Sequence, residues 1–436
     1  MNKIIIKKIQ YAIELKLASP LCVSGGLDDN TDSDVQKNAY GEPFIPGTSM
    51  AGAMRGYLTE VDEISDVNAL FGYSEGEAGT MSRIQISDFY FKGTPQLSVR
   101  DGVALADKLA VDGSKHDMEI IETGAVCRGY FLLNIRQGDD EDEFANMINL
   151  CIKAMAEGDV RLGANKNRGF GQLSIEKVHC KTFETANIME WLSLDRETLF
   201  DDDSSKLDYM TAEAMTDKYI TIQVPLKLKG GISIRKYSVV PNQPDYEHIT
   251  CNGNAVIPGS SWNGAIRSRV YTILRELGVD GTTYINEWFG YVKNKTARQS
   301  MIVIEESVIE GSKSIAMTRN SVNRFDGSAL TGALYTEKTN VGGAMNLVIK
   351  VRKNYYDAKA KLNKDDQFTY EPIVGMLLVA AKDIQNGYLA VGGQTAVGRG
   401  IFESNGDIKL TGTDKNIDYF INTIGRIKEV GQHGDN

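Results

Sequence analysis

The sequence is a diverged duplication, and this feature constrains the fold more than any other. The segment IPGTSMAGAMR at 45–55 recurs as IPGSSWNGAIR at 257–267. Because the matches keep their order while the loops between them lengthen, we predict two tandem copies of one domain. The other recurring features are Gly25-Gly26 as Gly230-Gly231, Phe71-Gly72-Tyr73 as Phe289-Gly290-Tyr291, and Gly158, Gly163, Gly169 and Gly171 as Gly387, Gly392, Gly398 and Gly400.

A strongly acidic stretch separates the two copies. Residues 187–217 hold nine Asp or Glu residues against two basic ones, in a chain of formal net charge −10. We interpret this stretch as a solvated linker or short insertion. The predicted domains are residues 1–186 and 218–436, joined by the acidic linker 187–217. Since the rest of the chain is nearly neutral, its charge neither indicates nor excludes a nucleic-acid partner.

The composition is that of an ordinary globular protein. Apolar residues make up 42% and charged residues 24% of the 436 residues. The sequence contains neither a run of about 18 apolar residues nor a recognisable signal peptide, so we expect a cytoplasmic protein with no membrane partner. The five scattered cysteines include no CxxC pair and are expected to be reduced thiols.

Periodicity predicts where each copy begins. Apolar residues alternate along part of Ile4–Leu17 and again along Tyr219–Leu228, which indicates an opening strand in each copy. A long polar loop follows, and then the PG(T/S)S segment. There Thr48-Ser49 and Ser260-Ser261 are expected to cap a helix.

A second helix is predicted late in each copy. Glu143–Glu157 and Glu371–Gln385 have helical apolar spacing, and each ends at a glycine, Gly158 or Gly387. The resulting order of strand, helix, strands, helix and strand is that of a split βαβ unit. We therefore predict the α+β class, with two tandem ferredoxin-like or RRM-like domains.

Two motifs in each copy are suited to bind phosphate groups. The IPG(T/S)S-x-x-GA-x-R segment combines a turn, two hydroxyl residues, helix N-terminal amides and an arginine. The glycine-rich loops GANKNRGFG at 163–171 and GGQTAVGRG at 392–400 add backbone freedom and basic side chains. Read alone, the first motif is better explained by a capped helix, and the second could be a simple mobile turn, but both occur twice.

Together these motifs resemble the RAMP superfamily, the RNA-binding backbone subunits of type III CRISPR effector complexes. The resemblance rests on Gly25-Gly26, both IPG signatures, the LFG and WFG segments and both glycine-rich loops, and it spans nearly the whole chain apart from 187–217. It implies that each domain binds CRISPR RNA. The implied RNA-binding residues are Gly47, Ser49, Arg55, Gly163, Lys166, Arg168, Gly169, Gly171, Gly259, Ser261, Arg267, Arg319, Arg324, Gly393, Gly398, Arg399 and Gly400.

The resemblance also implies a projecting hairpin, the thumb of the family, inserted in the middle of each copy. Residues 98–135 and 318–343 are similar to that element. Their basic residues would then contact RNA. The alternative is that Arg100 and Arg324 simply pair with their neighbours Asp101 and Asp326.

In catalytic members of the family, an aspartate in the loop before the IPG segment cuts target RNA. In the second copy, Asp245 is the only aspartate in that stretch; in the first copy Asp28, Asp29, Asp32 and Asp34 all lie there. A one-gap alignment pairs Asp34 with Asp245, whereas Asp32 has the more usual spacing to the proline. We expect Asp28 and Asp29 to form turns.

One carboxylate per site could position a hydrated divalent cation or orient a ribose 2′-hydroxyl for attack on the adjacent phosphate. We therefore expect a divalent metal cofactor, Mg²⁺, with Asp34 and Asp245 as candidate ligands. A single aspartate per site is a weak basis for two-metal chemistry.

The leading hypothesis is thus a backbone subunit that binds CRISPR RNA and, as a metal-dependent endoribonuclease within a complex, cleaves complementary target RNA. Its partners would be CRISPR RNA, target RNA and other type III effector subunits. One alternative is a non-catalytic structural or capping subunit with the same fold. Another is a guide-processing endoribonuclease, for which His248 is the best-placed histidine.

Overall fold

The structure is a computed structural model that describes residues 4–427, apart from 26–30, 62–63, 65, 77, 104, 107–108, 213–217, 238–243, 294–295 and 354–368. The chain divides into two compact units. The first unit comprises 1–166 and 170–216, and the second comprises 167–169 and 217–436. Each unit is α+β and has its own hydrophobic core. No helix among the described residues is both long enough and apolar enough to cross a lipid bilayer.

The first unit opens with a long strand and has two principal helices. Its elements are β1 (Ile5–Leu17), β2 (Phe44–Ile45), α1 (Gly47–Thr59), α2 (Val67–Phe71), β3 (Tyr73–Glu75), β4 (Ala78–Thr80), β5 (Ile84–Ile86), β6 (Phe89–Phe91), β7 (Leu97–Gly102), β8 (Leu105–Ala106), β9 (Leu109–Ala110), β10 (His116–Ile121), β11 (Val126–Arg136), α3 (Glu141–Ala156), β12 (Leu173–Glu184) and α4 (Ile188–Leu192).

An antiparallel sheet in the order β12–β1–β11–β6–β2, with β5 also paired to β11, forms the centre of the first unit. Along β1, Ile9, Tyr11, Ile13 and Leu15 are buried in one core with residues of α1 and α3. Because side chains alternate along a strand, Ala12 lies on the opposite face. That face is covered as well.

The acidic stretch provides this cover, so the expectation of a solvated linker is wrong for its described part. Residues 187–212 form α4 and several 3₁₀ turns. Leu199 and Phe200 pack against Ala12 and Tyr130 on the outer face of the sheet. The acidic side chains remain at the surface, where Glu197 pairs with Arg128 at 3.0 Å.

The second unit repeats this plan. They are β13 (Tyr219–Lys229), β14 (Gly231–Ile232), β15 (Arg235–Tyr237), β16 (Tyr246–His248), β17 (Thr250–Cys251), β18 (Asn254–Ile257), α5 (Gly259–Glu276), α6 (Gly281–Phe289), β19 (Tyr291–Lys293), β20 (Thr296–Arg298), β21 (Ile302–Ile304), β22 (Ser307–Val308), β23 (Lys313–Val322), β24 (Ala329–Val341), β25 (Ala344–Arg352), α7 (Tyr370–Gln385), β26 (Ile401–Ser404), β27 (Lys409–Thr411) and α8 (Ile417–Thr423).

Two sheets organise the second unit. The first has the order β21–β25–β13–β26, with β27 also paired to β13, and its core contains Trp262 of α5 packed on Phe402 of β26 at 5.1 Å. The second has the order β14–β24–β16–β15, with β23 paired to β24. The predicted opening strands and both helices of each copy are therefore present. Gly158 and Gly387 follow α3 and α7 with a φ of 77°, as a left-handed helix end requires.

Candidate nucleic-acid interface

Helices α1 and α5 begin at the PG motif itself. Pro46 and Pro258 are the residues before the first turn, and their carbonyl oxygens accept the N–H groups of Ser49 and Ser261 at 2.9 Å. Neither helix has a capping hydrogen bond from the side chain of its own N-cap residue. The expected hydroxyl caps are therefore wrong, because each helix starts at glycine and the hydroxyl residues lie inside its first turn.

The glycines of this motif have two different environments. A Cβ atom at Gly47 or Gly259 would lie 2.5 or 2.3 Å from a strand carbonyl oxygen, so only glycine fits there. At Gly52 and Gly264, by contrast, a Cβ would meet no atom within 4 Å. These two glycines therefore do not serve packing within the described part of the chain. They leave bare backbone on the exposed side of the helix.

Polar groups near the two helix starts are partly engaged within the protein. The Gly47 N–H donates to the Asp88 carboxylate at 2.8 Å, so an internal anion already faces the positive end of α1. Arg55, one of the predicted RNA contacts, donates to the side-chain oxygen of Asn68 in α2. Arg267 on α5 is exposed.

The two glycine-rich loops have the same backbone conformation. Asn165 and Gln394, at equivalent positions, are both left-handed, with φ of 54° and 58°, and a 3₁₀ turn follows each. Three equivalent pairs of hydrogen bonds hold both loops. Leu162 N–H donates to Gly171 O, as Val391 N–H does to Gly400 O, at 2.9 Å. At 2.8 Å, Gly171 N–H donates to Pro20 O, as Gly400 N–H does to Gly231 O, and Ala164 N–H donates to Cys22 O, as Gly393 N–H does to Ser233 O.

These bonds establish the internal alignment in this region. Gly231 corresponds to Pro20, so the predicted match of Gly25-Gly26 to Gly230-Gly231 is wrong. They also explain the glycines at the end of each loop. A Cβ at Gly171 or Gly400 would lie 1.9 or 1.8 Å from a carbonyl oxygen across the loop. Those glycines therefore close the loop, whereas a Cβ at Gly398 would meet no atom of the described chain within 4 Å.

The predicted basic contacts also differ in their surroundings. Lys166 and Arg168 are exposed on the first loop. Arg399 on the second loop is only 11% exposed at its side chain, and it lies 3.3 Å from the Glu337 carboxylate. Arg319 reaches the same carboxylate oxygen, also at 3.3 Å.

The candidate aspartates are not equivalent. Asp34 is buried; its Oδ1 accepts the Thr31 hydroxyl at 2.6 Å, and its Oδ2 has no hydrogen-bond partner among the described residues. Asp32 is exposed, and its Oδ2 accepts the Asp117 N–H at 3.0 Å. Asp245 is exposed too, and its Oδ2 accepts the Thr336 N–H at 2.7 Å. Asp28 and Asp29 lie outside the described residues.

Strand register decides which first-unit aspartate matches Asp245. The Ser24–Val35 bridge of the first unit corresponds to the Arg235–His248 pair of the second. Counting back three residues from Val35 and from His248 gives Asp32 and Asp245. The structural alignment therefore pairs Asp32, not Asp34, with Asp245, and the two carboxylates make the same type of hydrogen bond to the neighbouring strand.

His248 is an internal structural residue. Its Nε2 donates to the Val256 carbonyl at 3.0 Å, and its Nδ1 accepts the Ile234 N–H at 3.1 Å. Burial lowers the pKa of His248 to about 4. With both ring nitrogens bonded to the backbone, the imidazole is not available to a substrate.

The insert of the second unit is an antiparallel ribbon, β23–β24, whose side chains are mostly exposed. Arg324 and the fully exposed Phe325 lie at its tip. Asp326 accepts the N–H and hydroxyl of Ser328 and so stabilises the turn. In the first unit, β7 and β10 form the corresponding pair. There Arg100 lies over the Phe170 ring at 5.7 Å.

Within the described ranges, no group of three or more His, Cys, Asp or Glu side chains is placed to hold a metal ion. The first unit does bring two carboxylates together. Asp32 and Asp117 exchange hydrogen bonds, each side chain accepting the N–H of the other residue at 3.0 and 2.9 Å. In the second unit, Thr336 takes the place of Asp117.

The comparison with family models decides the relationship. The model of the RAMP superfamily matches residues 14–174 and 240–403. The chain belongs to the RAMP superfamily. The two matched regions are those of a tandem protein with two RAMP domains, and membership implies a CRISPR-associated RNA-binding subunit. The comparison with curated proteins gives no match.

Sequence reasoning missed several residues around the RAMP sites. Asp88, Asp117 and Glu337 contact predicted site residues but are distant from them in the sequence. No local motif identifies these carboxylates. The sequence signal that could have found Asp117 and Glu337 is their position in the predicted thumb segments, where acidic residues stand among basic ones.

Proposed function

We propose that this chain is an RNA-guided endoribonuclease subunit of a type III CRISPR effector complex, in which each RAMP domain binds CRISPR RNA and cuts complementary target RNA once. One observation carries the proposal. Asp32 and Asp245 are exposed carboxylates at the same place in both domains, each bonded to the adjacent hairpin strand. A duplicated carboxylate in a duplicated fold is expected when each domain has one reactive centre.

The strand order supports the finer fold assignment within this proposal. The central strands run β12–β1–β11–β5 in the first domain and β26–β13–β25–β21 in the second. With α1 and α3, or α5 and α7, in the crossover connections, this order supports a ferredoxin-like split βαβ unit. The β7–β10 pair and the β23–β24 ribbon are the proposed thumbs, which would interrupt the duplex of guide and target.

RNA would be bound mainly through its backbone, with its sequence read by base pairing to the guide, by analogy with RNA-guided DNA effectors. Helix α1, helix α5 and the glycine-rich loops supply the contacts. The bare backbone at Gly52 and Gly264 favours close approach of a sugar-phosphate chain. Lys166, Arg168 and Arg267 are exposed cations suited to phosphate.

At each site the aspartate would act on the ribose 2′-hydroxyl next to the scissile phosphate. The carboxylate takes the hydroxyl proton as the 2′-oxygen forms a bond to phosphorus. The bond between phosphorus and the 5′-oxygen breaks, and water protonates the leaving oxygen. The products are a 2′,3′-cyclic phosphate and a 5′-hydroxyl end.

The residues fit a weakly held, hydrated Mg²⁺ rather than a protein-caged ion. Mg²⁺ is commonly bound by one or two carboxylates together with waters and substrate phosphates. Asp32 with Asp117 would hold it in the first domain, and Asp245 in the second. Such a cation would neutralise charge on the phosphate.

The test uses the assembled complex with a guide and end-labelled complementary RNA, with and without Mg²⁺. We expect Asp32→Ala and Asp245→Ala each to remove one specific cut while target RNA stays bound. The double variant should remove both. Asp34→Asn is the matched control, since Asp34 is a buried neighbour of Asp32 on the same loop. In this variant, the cut made by the first domain should persist.

The competing functions predict other results. If the wild type and all aspartate variants give identical products, the chain is a structural subunit and the aspartates only form turns. A guide-processing nuclease would instead cut precursor RNA without partners and would lose activity on His248→Gln. Both ring nitrogens of His248 form hydrogen bonds with the backbone, which argues against that outcome.

A further inference from the structure

An ionic cluster lies at the base of the β23–β24 hairpin in the second unit. The Glu337 side chain is completely buried, and its Oε1 lies 3.3 Å from an Nη2 of both Arg319 and Arg399. Its other oxygen has no hydrogen-bond partner among the described residues. One carboxylate therefore orients two guanidinium groups, and the three side chains together keep one positive charge.

Gly231 provides the space in which Arg399 lies. A Cβ atom at Gly231 would be 2.1 Å from Nη1 of Arg399. The backbone of Gly231 has no positive φ, so alanine would alter the space and not the backbone conformation. Arg319 is more open than Arg399, with 33% of its side chain exposed, and can reach a ligand from the surface.

The cluster is adjacent to the proposed reactive carboxylate. Asp245 exchanges hydrogen bonds with Thr336, at 2.9 and 2.7 Å, and Thr336 directly precedes Glu337 on β24. Tyr246, the next residue after Asp245, pairs with Glu337 in the parallel bridge between β16 and β24. Its ring is covered by Arg235 at 4.1 Å, which adds a further cation.

The first unit has an apolar cluster at the equivalent place. The loop hydrogen bonds and the hairpin register assign the correspondence, and the apolar set contains no carboxylate. The buried side chain of Arg100 lies over its Phe170 ring at 5.7 Å. The equivalent pairs are Cys22 and Ser233, Met118 and Glu337, Ile120 and Thr339, and Phe170 and Arg399.

We propose that Arg319 and Arg399 form a phosphate contact beside Asp245, that Glu337 is the positioning residue that holds them there, and that only the second of the two sites has this support. The inference rests on the proposed function. The two cuts of the target RNA should then differ: the second domain cuts faster, and its RNA contact is more sensitive to salt.

The physical reason is the charge that develops on the phosphate during attack. A fixed donor aimed at such charge is worth roughly 100-fold in rate. In the first site, Phe170 occupies the position of Arg399 and Met118 that of Glu337, and the arginine nearby, Arg100, is buried over the Phe170 ring. The carboxylate that orients the guanidinium groups of the second site therefore has no equivalent at this position. Loss of the Glu337 carboxylate leaves the guanidinium groups without their common partner, so their position is no longer fixed.

Three variants test this in the assembled complex with labelled target RNA that spans both sites. Glu337→Gln removes the charge, and Gly231→Ala displaces Arg399. The combined variant S233C/E337M/T339I/R399F installs the apolar set of the first unit, and replacing a buried ion pair with packed apolar residues usually preserves folding. Single-turnover rates are measured for each cut with target RNA saturating, and target affinity is measured over a range of salt concentrations.

We expect all three variants to slow the second cut by about 10-fold or more, with the first cut unchanged. In the combined variant, the slope of target affinity against salt concentration should decrease by the amount that corresponds to about one phosphate contact. If the combined variant cuts the second site at the wild-type rate, Glu337 serves packing only and the inference is wrong. If the wild type makes no second cut, the proposed function fails there, and an unchanged salt slope would then overturn the phosphate contact as well.

Discussion

At the residue scale, burial in this protein determines which polar side chains are available for chemistry. Asp32 and Asp34 are two residues apart, yet only Asp32 is exposed. His248 was the best histidine by sequence, because it lies in the loop that hosts catalysis in the family. Sequence could not reveal that its ring bridges two backbone segments, since Ile234 and Val256 flank it at a distance that no local motif encodes.

His248 should make stability depend on pH. Burial lowers its pKa from 6.5 to about 4, so the folded protein keeps the imidazole neutral. Between these values the unfolded chain binds a proton that the folded chain does not. The free energy of unfolding should therefore fall as the pH decreases from 6.5 to 4, by up to about 3 kcal/mol. Urea unfolding at pH 7 and pH 4.5, compared with His248→Gln, measures this contribution; equal pH dependence in both proteins would contradict it.

At the scale of single elements, strands and helices with strong periodicity were predictable, and contacts between them were not. The opening strands and helices α3 and α7 lie where the apolar spacing places them, and helices α1 and α5 follow the PG(T/S)S segments. The acidic stretch was misread because its charges conceal two apolar residues, Leu199 and Phe200, which cover the outer face of β1. The helix starts were misread by two residues because proline and glycine, rather than the hydroxyl residues, begin the first turn.

Substitution of the exposed motif glycines in helices α1 and α5 should affect stability and RNA binding in opposite directions. Beyond the backbone of its own helix, a Cβ at Gly52 or Gly264 would meet no atom of the described residues within 4 Å. Each change to alanine should therefore raise the free energy of unfolding by about 1 kcal/mol through helix propensity. If RNA approaches this backbone closely, the same changes should weaken guide binding by about 10-fold. Denaturant midpoints and guide RNA titrations provide the two readouts.

Gly56 is the matched control for this pair. It lies in α1 with equally open surroundings but outside the repeated motif. Gly56→Ala should stabilise the protein by a similar amount and leave guide binding unchanged. Equal binding by all three alanine variants would argue against contact between RNA and the motif glycines.

At the scale of the whole molecule, the duplication predicted by sequence corresponds to two units with separate cores. The repeat could be recognised because the fold restricts which residue types fit at some motif positions. At Gly47 and Gly259, for example, any side chain would collide with a strand. The positions of the gaps in the alignment of the two copies could not be inferred, because the loop sequences do not indicate which strands pair. For this reason the match of Asp34 to Asp245 was wrong by two residues.

Separate cores should unfold as separate cooperative units. Met50 and Trp262 occupy equivalent, fully buried positions in α1 and α5. Replacing either with alanine should cost about 3 to 4 kcal/mol in its own unit. Differential scanning calorimetry should therefore resolve two transitions, with Met50→Ala lowering the temperature of one and Trp262→Ala that of the other. Both substitutions acting on one shared transition would contradict this expectation.

The contrast between the two hairpin-base clusters limits the routes by which the copies can have diverged. A glutamate placed at position 337 among apolar neighbours would be a buried charge with no partner, at a cost of about 3 to 5 kcal/mol. An arginine can extend toward water and is tolerated first. Conversion of the apolar set into the charged set should therefore cost less stability when the arginine is introduced before the glutamate, and the reverse conversion when the glutamate is removed first.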